Sequence, residues 1–182
     1  MIGEVDTDTQ LLRSNAQPGE LLFVTGNLGD AAAGLEQFEK KALLNQYNQF
    51  LIERFFRPTA RIDIGQAIMG YASSSIDISD GLIGDLMKIM SASDVGALLH
   101  IEDIPLSKEM LKIYEPKKSQ TFALSGGDDY ELLFTTPAEN LSKIMDISKE
   151  IDQKITHIGN ITENKNLECR KEGVIYEYQD EG

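Results

Sequence analysis

Residues 74–93 read SSIDISDGLIGDLMKIMSAS, and their two patterns decide the fold class. Ser74 to Ile78 read as a strand, while from Asp80 onward the apolar residues Leu82, Ile83, Leu86, Ile89 and Met90 fall at helical spacing. A strand-to-helix corner is therefore expected at Ser79, Asp80 and Gly81. Working outward, LLFVTG (21–26) reads as a buried strand after the turn signal NAQPGE, and NLGDAAAGLEQF as a loop entering a helix. Asn45 to Arg57 has apolar residues at helical spacing and stops at Pro58, and Arg61 to Tyr71 repeats that pattern. Beyond the corner come a strand in VGALLHIE, a loop at DIP, a helix near SKEMLKIY, a strand in YELLFTT and an amphipathic helix in AENLSKIMDISKEID. The last pieces, ITHIGNIT, LECRK and VIYEYQ, are short and β-rich, and read as a closing meander. The alternation predicts one α/β (α+β) domain over residues 1–182, a mixed β-sheet covered by helices.

Composition narrows the function classes. The 182 residues carry 30 acidic and 17 basic side chains, a net charge of −13, which repels a polyanion and argues against a nucleic-acid surface. Such acidity is compatible with divalent cations, although most of it serves solubility. The lone cysteine, Cys169, excludes an intramolecular disulfide and sits in a polar β segment, so a reducing, cytoplasmic setting is expected and a catalytic thiol is not. No apolar run reaches the roughly 20 residues needed to cross a bilayer, and MIGEVDTDTQ lacks the features of a signal peptide, so no membrane partner is expected.

Two stretches could carry chemistry. In DISDG, Asp77 and Asp80 flank a corner where a helix would aim free N–H groups at an anion. Carboxylates alone repel phosphate, so a Mg²⁺ ion between carboxylate and phosphate oxygens reconciles the two. The structural alternative is that Ser79 or Asp80 caps the helix and Asp77 faces solvent. In SGGDDYELLF (125–134), Gly126 and Gly127 permit close backbone approach and Asp128 and Asp129 add carboxylates, although a tight turn explains the pattern equally well. The stretch has no P-loop lysine, and GNLGDAAAG fits neither that loop nor the dinucleotide fingerprint. His100 and His157 lack metal-ligand spacing and read as structural.

Taken in order, LLRSNAQPGELLFVTGNLGDAAAGL, RFFRPTAR, SSIDISDGLIGDL and ALSGGDDYELLFT resemble the thiamine-monophosphate kinase family, specifically its C-terminal half. That family lies in the superfamily of aminoimidazole ribonucleotide synthetase, whose C-terminal domain the fold is expected to share. The resemblance implies an ATP-dependent phosphotransferase that converts thiamine monophosphate to thiamine diphosphate with several Mg²⁺ ions. By matched position, Asp77 and Asp80 look like metal ligands, while Ser79 and Arg13 look like nucleotide contacts. Asp128 looks like a substrate contact where relatives often have Glu, and no role carries over to Asp129. Family members begin with another domain that brings most metal ligands and the homodimer interface, and they continue past YQDEG; without those parts the chain is expected to be nearly inactive. Two other readings stand beside this one: a non-catalytic nucleotide- or partner-binding domain of the same fold, and another superfamily enzyme acting on aminoimidazole precursors or selenide.

Overall fold

Leu22 and Val24 point to one face of a strand and Phe23 to the other, and this alternation organises the molecule. The computed structural model describes residues 10–177. In chain order the elements are β1 (Leu21–Thr25), α1 (Asp30–Glu39), α2 (Gln46–Phe56), α3 (Ile62–Ala67), β2 (Ser74–Asp77), α4 (Leu82–Ser93), β3 (Gly96–His100), α5 (Lys108–Ile113), α6 (Pro116–Ser125), β4 (Leu132–Thr136), α7 (Leu141–Glu150), β5 (Ile155–Thr162), β6 (Leu167–Lys171) and β7 (Val174–Ile175). The strands form a seven-stranded sheet in the order β2-β4-β1-β5-β3-β6-β7. Every pairing is antiparallel except β3 with β6.

Helices cover both faces. On one, Leu82, Leu86 and Ile89 of α4 pack over Leu22, Val24, Leu133, Leu99 and Ile161. On the other, Ile64 of α3 and Ile144 and Ile147 of α7 pack over Phe23, Phe134 and Ile155. The Phe23 and Phe134 rings lie 5.5 Å apart and stacked, joining neighbouring strands on that face. Helix α2 starts with a reciprocal cap, in which Asn45 accepts from the Asn48 N–H and Asn48 accepts from the Asn45 N–H.

The mixed sheet covered by helices agrees with the sequence expectation, and two details differ. The closing strands are no meander: β5 inserts between β1 and β3, and β6 runs parallel to β3 beyond it. Only β6 and β7 form a local antiparallel pair. Helix α6 was not expected from the sequence at all; its apolar residues make a weak stripe, and its one local signal is Pro116 at the first helical turn.

Candidate functional site

The corner after β2 is built by a residue that the sequence did not single out. Asp85, in the first turn of α4, is fully buried, and its Oδ2 accepts hydrogen bonds from the Ser79 and Asp80 N–H groups, both at 2.9 Å. Neither Ser79 nor Asp80 caps the helix; the N-cap position falls to Gly81, which makes no side-chain bond. Gly81 has φ +92°, and a Cβ there would lie 2.8 Å from the Ser125 backbone, so only glycine fits the turn. Asp80 is thus free of a capping role, and Asp77 and Asp80 are both exposed. Lys88, a turn further along α4, bonds Asp80 Oδ2 at 2.5 Å and Asp85 Oδ1 at 2.7 Å. The hydrogen bond from Lys88 holds the Asp80 carboxyl below its ordinary range, and the same pair raises the Lys88 ammonium.

The second acidic stretch lies directly against the first. The Tyr130 N–H donates to the Ile78 carbonyl at 2.9 Å, the Ile78 N–H to the Glu131 carbonyl at 2.8 Å, and the Asp128 N–H to the Ser79 carbonyl at 3.0 Å. These bonds carry the β2–β4 pairing onward into both loops. Gly127 sits so close to the Ser79 carbonyl that a Cβ would lie 2.5 Å from it. Asp128, at φ +66°, is exposed and accepts a hydrogen bond from the Tyr130 hydroxyl at 3.2 Å. That bond raises the Tyr130 pKa, with smaller contributions in the same direction from the Asp128 charge, burial and the charges of Asp77 and Asp80.

The remaining acids of this stretch turn inward. Asp129 accepts from the Gly29 N–H at 2.6 Å and the Ala31 N–H at 3.1 Å, closing the start of α1 from 100 residues away in sequence. Burial pushes its carboxyl up to about 7 despite those two bonds, and neighbouring Asp30 adds to the rise. Asp30 itself is raised to about 6, chiefly by burial. Glu131 is fully buried and bonds Arg54 at 2.9 Å, Arg61 at 2.5 Å and the Thr25 hydroxyl at 2.6 Å. From the sequence Glu131 reads only as part of the YELLFTT strand.

Two hollows meet at the edge strand β2. One, of about 410 Å³, is lined by Arg13, Asp77, Ser79, Asp85 and Lys88, so it gathers three of the residues expected from the sequence. Arg13 reaches it because the Ser75 N–H donates to the Leu12 carbonyl at 2.8 Å, and Ser93 Oγ to the Arg13 carbonyl at 3.3 Å. The other, of about 590 Å³, shares Asp77 and Ile76 and is walled by Ile62, Met69, Tyr130 and Leu132. Asp80 and Asp128 line neither hollow and stand beside them, through Lys88 and Tyr130 respectively. The donor set suits Mg²⁺, which takes one or two carboxylates and completes its shell with phosphate oxygens and water. Among the described residues no group of three or more His, Cys, Asp or Glu side chains forms a self-sufficient metal centre. His157 packs against Phe23 at 5.3 Å between ring centroids, and burial raises the Cys169 thiol, both in keeping with structural roles.

Residues 17–172 match the family model of the AIR synthase related protein, C-terminal domain. A thiamine-monophosphate kinase of Haemophilus influenzae is 41% identical over 162 residues, covering 88% of this chain and 49% of that protein. A crystal structure of thiamine-monophosphate kinase from Stenotrophomonas maltophilia superposes with a TM-score of 0.88 at 31% identity, over 94% of this chain and 56% of the other. The structure of AaThiL complexed with AMPPCP and TMP superposes with a TM-score of 0.78 at 35% identity, over 93% of this chain and 52% of the other. The chain spans about half the length of the curated relatives it matches.

Proposed function

The chain belongs to the family of AIR synthase related proteins, C-terminal domain, and from that premise we propose that it supplies one half of a thiamine-monophosphate kinase active site. In the reaction, a phosphate oxygen of thiamine monophosphate attacks the γ-phosphorus of ATP. The new P–O bond forms as the bond to the β–γ bridging oxygen breaks, giving thiamine diphosphate and ADP. The carrying observation is that Arg13 from the loop before β1, Asp77 at the end of β2 and Ser79 in the corner before α4 line one hollow. The likeness to thiamine-monophosphate kinases and to a neighbour holding AMPPCP and TMP supports the choice of substrates.

Within this reading the Arg13 guanidinium offsets the polyphosphate charge, and Ser79 offers its hydroxyl to the nucleotide. Asp77 and Asp80 present carboxylate oxygens for Mg²⁺, whose contribution is to screen the charge between two phosphate anions. Asp128, exposed on the adjoining loop and oriented by Tyr130, faces the acceptor substrate. Asp129 is assigned to scaffolding. Phosphoryl transfer of this kind needs positioning and charge screening and no covalent enzyme intermediate. The remaining metal ligands and the homodimer contact belong, on this reading, to a domain that precedes the chain in its relatives. The chain alone then binds nucleotide weakly and turns over almost nothing. A cytoplasmic setting goes with the reading and is supported by the single, buried cysteine.

The test is formation of thiamine diphosphate from ATP and thiamine monophosphate by this chain fused to the complementary half of the Haemophilus influenzae relative, with and without Mg²⁺. Turnover that needs Mg²⁺ and collapses in Asp77→Asn and in Asp80→Asn supports the reading. A fused protein that folds and does not turn over, or ready turnover by the chain alone, overturns it.

A further inference from the structure

Lys88 is the one residue of the corner whose part in the chemistry is still open. It stands between two carboxylates of opposite character. Asp85 is fully buried and already holds two backbone N–H groups, whereas the Asp80 side chain is 64% exposed and has no such anchorage. Lys88 and Asp85 line the hollow that also holds Arg13, Asp77 and Ser79, and Asp80 stands beside it. A divalent cation on Asp80 and an ammonium on the same carboxylate repel each other, so they compete for that oxygen. The bond to Asp85 is unaffected by that competition, and an ammonium has three donors to distribute. Displaced from Asp80, Lys88 therefore stays tethered at the hollow's wall with donors free for an anion. In a chain of net charge −13, such a cation is what an arriving polyphosphate requires.

We infer that Lys88 is a positioning and binding residue of the nucleotide site: it occupies Asp80 until a divalent cation displaces it, and then bonds the phosphates of the nucleotide from its tether on Asp85. The inference rests on the reading above in two respects, that Asp80 takes the metal and that the hollow takes the nucleotide. It assigns to Lys88 a double duty, opposing metal alone and favouring metal with nucleotide, so that the two ligands bind in concert.

The experiment is a titration of the fused protein described above, ¹⁵N-labelled and followed through the Ser79, Asp80 and Asp85 amide resonances. Mg²⁺ alone is added first, then AMPPCP with Mg²⁺, for the wild type, Lys88→Met and Lys88→Arg. Lys88→Met is expected to bind Mg²⁺ alone about fivefold more tightly, the size of an exposed ion pair removed from competition. It should bind Mg²⁺-AMPPCP roughly tenfold more weakly, the size of a lost charge-assisted bond, and Lys88→Arg should restore that affinity. Changes of opposite sign separate this role from a structural one, which would weaken both ligands together. If either affinity is unchanged, or both fall, while the wild type binds both ligands, the inference fails and the kinase reading stands. A wild type whose corner resonances respond to neither ligand overturns that reading and this inference with it. Should resonances shift throughout Lys88→Met, Lys88→Gln removes the same charge and takes its place.

Discussion

The two acidic loops at the β2 edge have similar composition and opposite uses. At DISDG the aspartates face outward and the support comes from Asp85 behind them. At GGDDYE the order is inverted: Asp128 alone faces outward, while Asp129 and Glu131 hold α1, Arg54 and Arg61 in place. Which carboxylates are available to a ligand is thus decided by the partners folding provides, and residue type alone does not tell them apart. Buried carboxylates in these loops have backbone N–H or guanidinium partners, as burial of charge demands.

That contrast should appear as a gradient of stability. The largest loss is expected for Glu131→Ala, which strands Arg54 and Arg61: about 3–5 kcal/mol in denaturant unfolding. A loss below 1 kcal/mol there would break the contrast. Asp85→Ala, which frees the Ser79 and Asp80 N–H groups and Lys88, is expected to remove about 2 kcal/mol. In the fused enzyme it should raise KM for ATP more than it lowers kcat, since it acts through the corner.

Asp129→Asn is expected to remove about 1 kcal/mol, the size of a helix cap, and to change how stability depends on pH. The Asp129 carboxyl moves from an ordinary value of 3.8 to about 7 on folding, so between those values the folded state binds the extra proton. Stability from this group is present below the lower value and lost as pH rises through the upper one, and Asp30, raised to about 6, acts in the same direction. Asparagine at position 129 should flatten the decline of stability between about pH 4 and 7, measured as the unfolding midpoint across that range. The smallest effects on folding, within about 0.5 kcal/mol, are expected for Asp77→Asn and Asp80→Asn, although these abolish turnover in the fused enzyme. A large folding defect in either would place it with the inward-facing acids.

The corner at Ser79–Gly81 and the strands and helices around it were legible because apolar spacing changes period there. Helix α6 was not, since PKKSQTFALS has too weak an apolar stripe to announce itself and is held by packing against α4 and α1. Asp77, Asp80 and Asp128 stood out as carboxylates at loops flanked by glycine, their roles and the nucleotide contacts Arg13 and Ser79 came from a resemblance of motifs, and Arg13, Asp77 and Ser79 reach one hollow. Asp85, Lys88 and Glu131 escaped for a physical reason: an acid or base inside an amphipathic helix or strand reads as solvated surface. Only the tertiary partners reveal that Asp85 reaches back to the corner and that Glu131 meets Arg54 and Arg61.

The position of β1 also sets the order in which the molecule can be completed. Strand β1 lies inside the sheet, with β4 on one side and β5 on the other, so its partners come from more than 100 residues later in the chain. During synthesis Leu22, Phe23 and Val24 must wait without their neighbours, and helices made in the interval have no finished sheet to settle on. Pairing this distant is slow. The corner and its acidic companion inherit the delay, because the bonds between Ile78 and Glu131 cannot form until β4 arrives. The hollow is among the later parts of the molecule to take shape.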